Sequence, residues 1–548
     1  MKKKLAIFLS MILALGFVLA ACGGNDKDSK GNKNEGGKEA AKDKQVLNFN
    51  IRTEPPSLHP GKASDNISAA VLYQTFEGLM RLDQKTEKPE PAMAKSYDLS
   101  DDKKTYTFHL RDGIKWSNGD PVTAEDFETA WKWVLNPDTA KADYAYQLYP
   151  IKGAQAAKEG KGSLDDVGVK AKDDKTLVVE LENPTPYFLD LTAFYTYMPV
   201  NHKVADKEGK WSENLTDKYV TNGPFLMEKW SHKSKIVLKK NPEYWDAKTV
   251  KLETINLSMV DNENTELQMF QNGELDWAGK PLSQLPLSAI DTLKNDPQYQ
   301  SIPFTGIYYY VFNVKEKPMN NVNIRKALAL SIDRKTLVDN VTKGGQLPAK
   351  ALVPSTIWEE NKEGYFKDND VAEAKKYLKK GLDELGLKEL PTIKIKFNTS
   401  ENHSAIAQAV QDMWKKNLGV NVELGNEEWN VYLDTLRESD FQIGRMGWVA
   451  DFNDAINFLE IYEHVGGNNY TNWHNDEYSN LLDKARKEAD QTKRNDELRK
   501  AEKIFMDEMP VAPIYFDSNP FVKKDYVKNI ELRTLSNLQF KWAYIAEH

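Results

Sequence analysis

The sequence predicts an α/β protein with at least one parallel β-α-β unit, built into several domains. Three features of the 548-residue chain carry that expectation. At 393–397, Ile-Lys-Ile-Lys-Phe alternates apolar and polar residues, as a strand with one buried face does. Residues 402–418 then bring Ile406, Val410, Met413 and Trp414 on or near one face at helical spacing, and Gly419 follows where a helix closes in left-handed backbone. Val420 to Leu424 alternates again. Strand, helix and strand in this order predict a parallel pair joined by a right-handed crossover. Ligands of such sheets sit beyond the carboxyl ends of the strands, which is where His403 falls.

The elements before and after this unit are mixed. Lys2, Lys3 and Lys4 precede an uncharged, mostly apolar run from Leu5 to Ala21, too short for a spanning helix and suited to a signal segment. It ends in Leu19-Ala20-Ala21-Cys22, and Cys22 is the only cysteine in the chain. A cysteine there resembles a bacterial lipobox, so 1–21 is expected to be a lipoprotein signal peptide and Cys22 the lipidated residue. Diacylglycerol plus an N-acyl chain satisfies the two-chain requirement for stable anchoring. Residues 22–45 hold Gly, Asn, Asp, Lys, Ser and Glu but no aromatic residue, and are expected to be a flexible tether.

Further along, Thr105 to Leu110 alternates with Tyr106, Phe108 and Leu110 on one face, and Asn118-Gly119 marks a turn. Thr123-Ala-Glu-Asp126 has the form of a capping box, opening a helix that aligns Phe127, Trp131 and Val134. A short strand is expected at 176–181. Residues 429–436 read as a short helix and 441–451 as a strand running into a loop. Helices at 479–488 and 494–509 lead to a buried strand at 511–516, bounded by Pro510 and Pro520.

Composition narrows the function. The length suits about three or four domains. A net charge of −8 argues against a nucleic-acid partner. One cysteine excludes an internal disulfide and Cys-based metal centres, and the eight histidines form no H-E-x-x-H. Phosphate-binding, dinucleotide-binding and nucleophile-elbow motifs are absent from the sequence.

One block is specific. Met93-Ala-Lys-Ser-Tyr-Asp-Leu, continuing from Lys104 through Phe108-His-Leu-Arg-Asp-Gly-Ile-Lys-Trp116-Ser-Asn-Gly-Asp-Pro-Val-Thr-Ala-Glu-Asp-Phe127, resembles the signature of extracellular solute-binding proteins of family 5. Ser57-Leu-His-Pro60, Phe76-Glu-Gly-Leu79, Asn222-Gly-Pro-Phe225, Asn241-Pro-Glu-Tyr-Trp245, Gly273-Glu-Leu-Asp276, Asn323-Ile-Arg-Lys-Ala-Leu328, Trp414-Lys-Lys-Asn-Leu-Gly-Val420 and Gly447-Trp-Val-Ala-Asp-Phe-Asn453 are similar too, so the likeness covers Val46 to His548.

The resemblance implies a periplasmic-binding-protein-like fold (type II, cluster C), with two lobes closing on a ligand and an extra third domain. By likeness, lobe I is 46–66, 200–303 and 519–548, the extra domain is 67–199, and lobe II is 304–518. It implies a monomeric, lipid-anchored receptor at the extracellular face of a Gram-positive-type membrane, handing oligopeptides to an ABC permease, with no catalytic role and no cofactor.

A receptor for mixed peptides must use what peptides share: an ammonium, a carboxylate and a backbone. Asp451 matches the residue that grips the amino terminus in peptide-binding relatives; as a bare residue it could also be a loop carboxylate or helix cap. Gly447 and Val449 are placed to bind backbone as an added strand would. Trp448 and Trp429 match wall residues, with plain core as their other reading. Arg445 and His403 match carboxylate-binding positions; a structural ion pair and a polar first-turn residue are the alternatives. Glu54, in Arg52-Thr-Glu-Pro-Pro-Ser57, matches a lining residue of the first lobe. One departure stands out: Leu436, with Arg437 beside it, occupies a position where a relative has arginine. Two other readings use the same residues: a different solute on this fold (a signalling peptide, nickel chelate, haem or opine), or a hydrolase using a carboxylate pair.

Overall fold

The computed structural model describes residues 38–548, other than 140, 141, 489, 536 and 537. The expected signal segment 1–21, Cys22 and the tether to Gly37 lie outside the described residues. The remainder of the expected tether, 38–45, is built into the fold. Glu39 bridges to Ala546, and the Ala40 N–H donates to the Ile545 carbonyl at 2.9 Å. The buried Gln45 amide donates to the carbonyls of Ala40 and Ile545 at 3.0 and 2.9 Å. The packed region therefore begins near Lys38 rather than Val46. Pairing with the last residues of the chain satisfies this backbone, and composition cannot register that.

Three sheets organise the molecule. In the first, Val46–Asn50 runs parallel to Thr254–Ser258, followed by antiparallel Lys235–Lys240 and Phe225–Ser231. The second is antiparallel, in the order Ala94–Leu99, Thr105–Leu110, Thr176–Glu180, Val169–Asp173. Tyr106, Phe108 and Leu110 are buried in alternation, and helix Ala124–Leu135 buries Phe127, Trp131 and Val134. Asp126 closes the expected capping box by accepting from the Thr123 N–H at 2.8 Å.

The third sheet has seven strands, in the order Trp277–Gly279, Val511–Lys523, Tyr299–Phe312, Ile443–Val449, Ile393–Asn398, Val422–Glu427, with Leu347–Pro348 on the far side of Val511–Lys523. Ile393–Asn398 and Val422–Glu427 are parallel and joined by helix Glu401–Leu418, as their periodicity predicts. Ser400 caps that helix and Gly419 closes it at φ +75°.

The expected strand at 511–516 runs on to Lys523, through Pro513 and Pro520. Proline cannot donate to a ladder, so an uninterrupted run past it is unexpected. Here Pro513 stands beside a register shift at Tyr308/Tyr309, and Pro520 lies opposite Ser301, just beyond the shift between Pro303 and Ile307. Both crossings expected between the lobes, 303/304 and 518/519, are neighbours in this sheet: Pro303 faces Ser518 and Ile302 faces Asn519. The boundary expected at 66/67 falls just inside helix Asn66–Thr75, which continues across it.

Candidate ligand-binding site

The site is built along Ile443–Val449. On one side this strand pairs with Tyr299–Phe312 over its whole length; on the other, Ile393–Asn398 covers only Ile443 and Gly444. Among the described residues, no strand covers the outer edge of Arg445 to Val449. Alternate residues of such an edge turn N–H and C=O groups outward, ready to pair with an extended chain. The edge faces a cavity of about 200 Å³. Arg445, Gly447, Trp448, Val449, Asp451 and Trp429 all line it, so six of the expected site residues are brought together. A Cβ on Gly447 would come 2.9 Å from the Ile307 carbonyl, so the pairing there leaves no room for a side chain.

Asp451 stands at one end. Its Oδ2 accepts from Gln147 Nε2 at 2.6 Å and Asn457 Nδ2 at 3.1 Å, and its Oδ1 from the Tyr144 hydroxyl at 3.5 Å. Asn457, fully buried, also accepts from the Asp451 N–H at 2.9 Å and the Trp448 indole at 3.1 Å. Asparagine thus fixes both the carboxylate and the wall beside it. No cation pairs with Asp451 among the described residues, and burial pushes its carboxyl up to about 7 against these hydrogen bonds.

The other end is cationic. The Arg445 guanidinium lies over the Tyr308 ring, 4.5 Å from its centroid, and Nη1 donates to Asn398 at 3.3 Å. Its Nε–H is buried without an acceptor, and so is the Trp429 indole N–H. His403, 1% exposed, stands 3.4 Å from the Tyr308 hydroxyl. Burial first, then the charges of Arg445, Arg52 and Lys280, hold its imidazole well below the ordinary range and therefore neutral. It lines a smaller cavity of about 100 Å³, which shares Asn66, Lys280, Leu282, Trp429 and Arg445 as walls with the first. Tyr308, Tyr309 and Tyr310 are all buried; Tyr308 and Tyr310 have rings 6.1 Å apart, and Tyr308 stacks on Tyr515 at 4.8 Å.

Glu54 is not brought to this cavity. Its carboxylate accepts from the Trp230 indole at 2.8 Å, His232 at 2.7 Å and the Lys233 N–H at 2.5 Å, which holds it in a separate pocket of about 410 Å³. The prolines after it extend that loop, but the partners on 230–233 decide where the carboxylate goes. Arg437 lines the same pocket. It grips Asp143 at 2.8 Å, and Ser64 joins that pair at 3.1 Å from Asp143. Leu436 is buried behind the site strand, against the position a Cβ on Gly444 would take.

Sequence reasoning missed Asn457, Gln147, Tyr144 and Lys280. Gln147 and Tyr144 come from a segment some 300 positions before Asp451 and carry no local signal. Asn457 was within reach: an amide one helical turn into the segment after Asp451 is a natural partner for it.

A backbone edge flanked by opposite charges along one cavity is the apparatus of a solute receptor. The family model described as "Bacterial extracellular solute-binding proteins, family 5 Middle" matches residues 88–470, and the chain belongs to this family, whose members are solute-binding receptors. The chain is 56% identical to the oligopeptide-binding protein OppA of Bacillus subtilis (strain 168), over 99% of this chain and 100% of that one. OppA of Listeria monocytogenes bound to peptide superposes with a TM-score of 0.85 at 34% identity, covering 92% of this chain and 99% of that one. The unliganded open form of the murein tripeptide-binding protein MppA, at a similar 31% identity and covering 94% and 99%, reaches only 0.64.

Proposed function

We propose that the chain is the oligopeptide receptor of an ABC importer. It holds the ligand ammonium at Asp451 and the ligand carboxylate at Arg445, with His403 near it, and pairs the ligand backbone with the open edge of Ile443–Val449. Trp448 and Trp429 wall the side chains without reading one chemistry. The observation that carries this reading is the polarity of a single cavity. One end has the Asp451 carboxylate with no cation; the other has the Arg445 guanidinium, which lines the cavity and enters no ion pair with a carboxylate among the described residues. A zwitterion of peptide length completes both. The names of the relatives point the same way.

The two lobes (46–66, 200–303 and 519–548; and 304–518) close about the adjacent crossings at Pro303 and Ser518, and 67–199 supplies Gln147 and Tyr144 behind Asp451. The receptor acts as a monomer, anchored through lipid on Cys22 at the outer face of the cell membrane, and delivers its load to the permease.

The test is mass spectrometry of small molecules released on denaturing the purified protein. A mixture of short peptides is the expected result. A single non-peptide species, or a failure of defined tetrapeptides to bind the emptied protein, overturns the reading.

A further inference from the structure

The cavity holds a second buried carboxylate that neither the termini nor the backbone of a ligand requires. Asp65 lines it and is 8% exposed. One oxygen is used by the fold: Oδ1 caps helix Asn66–Thr75, accepting from the N–H groups of Ile67 at 2.9 Å and Ser68 at 3.0 Å. The other, Oδ2, is buried with no hydrogen-bond partner. Leaving a buried carboxylate oxygen unpaired is costly, and capping would be served equally by serine or asparagine, which carry no charge. The cation whose field reaches Asp65 is Arg437, and it is committed to Asp143 at 2.8 Å and Asp434 at 3.1 Å.

The surroundings suit a cation. Tyr73, Tyr144, Phe194 and Tyr195 line the same part of the cavity, and aromatic faces attract cations that a carboxylate neutralises. Tyr195 links Asp65 to the ammonium end: burial first, then the charges of Asp451 and Asp65 together, raise its hydroxyl well above the ordinary range. Gln147, which donates to Asp451, keeps its own Oε1 buried without a donor.

We propose that Asp65 is a specificity residue, whose free carboxylate oxygen binds a cationic side chain (lysine or arginine) at the first or second position of the ligand. This rests on the peptide reading above. It makes the receptor selective for basic residues near the amino terminus, where backbone-and-termini recognition alone would be indifferent.

The test is calorimetry with tetra-alanine and with tetrapeptides carrying one lysine at each position in turn, on the wild-type protein and on Asp65→Asn. Asparagine keeps the helix cap and removes the charge. In the wild type, lysine at position one or two should tighten binding about tenfold over tetra-alanine. Nε-acetyl-lysine at that position should lose the gain, a readout independent of any variant. In Asp65→Asn the affinity ratio of the lysine peptide to tetra-alanine should fall to about one. No gain in the wild type, or a gain that survives Asp65→Asn, overturns the proposal. Tetra-alanine failing to bind the wild type would instead overturn the peptide reading, and this inference with it.

Discussion

Glu263 and Glu401 each occupy the first position of a helix, and each accepts hydrogen bonds from the start of the other's helix. Glu263 accepts from the Ser400 hydroxyl and Asn402 Nδ2, both at 2.7 Å. Glu401 accepts from Asn262 Nδ2 at 3.0 Å and Asn264 Nδ2 at 2.8 Å. Asn262-Glu-Asn264 and Ser400-Glu-Asn402 thus form a near-symmetric clasp beside the cationic end of the cavity, touching no residue of the ammonium end. Acidic residues favour helix N-termini, so each glutamate is drawn to the same pole.

The two halves of the clasp differ in burial, which makes them separable. Glu263 is 2% exposed and Glu401 is exposed. Glu263→Ala should weaken peptide binding about tenfold, mainly through faster dissociation, since buried charged hydrogen bonds contribute about 1.5–3 kcal/mol. Glu401→Ala should cost less than about threefold. Stopped-flow dissociation of a labelled peptide separates them; equal losses would contradict the clasp.

Asp451 should make binding depend on pH. Its carboxyl stands near 7, against an ordinary value of 3.8, because burial penalises the charge. A carboxyl raised in the folded state is no burden below its ordinary value. The empty form therefore loses stability as pH rises from about 4 to about 7 and levels off above that. A ligand ammonium needs the carboxylate, so binding releases a proton below about 7. Affinity should fall up to about tenfold per pH unit there, and calorimetry in buffers of different ionisation enthalpy should register the proton.

Asp451→Asn should cost about 3 kcal/mol of peptide affinity, on the order of 100-fold. It should also raise the melting temperature of the empty protein at pH 8, since no unpaired charge remains buried. A variant that binds peptide normally would remove Asp451 from the site.

Asn457→Ala should act through position. It frees the carboxylate of Asp451 and the Trp448 indole together. Affinity is expected to drop about tenfold with the indole fluorescence altered before any ligand is added. Unchanged fluorescence alongside weak binding would count against a positioning role.

Arg445→Met tests the opposite end. A free-acid tetrapeptide should lose about 2–3 kcal/mol, whereas its C-terminal amide, already weak on the wild type, should change little. Equal losses on the two ligands would mean that Arg445 supports the fold rather than the carboxylate.

How much of this was legible depended on how local the signal was. The β-α-β unit was readable because 393–424 encodes two period-two runs around one helical stripe, with Ser400 and Gly419 at the correct ends. The run from Arg445 to Asp451 falls together on one cavity because one strand and its following loop carry most of the candidate site. The strand at 511–516 was cut short because proline is a local stop signal, overridden here by bulges in a partner strand 200 residues away. Composition alone extends the tether to Gln45, whereas 38–45 is held by the far end of the chain.

The sequence by itself determined the chemistry available: the basic and apolar run before Cys22, the alternating strands, the caps, and the Trp448-to-Asp451 motif. These are set within a few residues by periodicity and side-chain type. Only the tertiary structure decided which charges stay unpaired. Glu54 and Asp451 are both carboxylates that the likeness assigns to a ligand site. Folding gives Glu54 His232 and the Lys233 N–H, and gives Asp451 only neutral donors. The cost of burying a charge depends on every group packed around it, and those groups arrive from all parts of the chain.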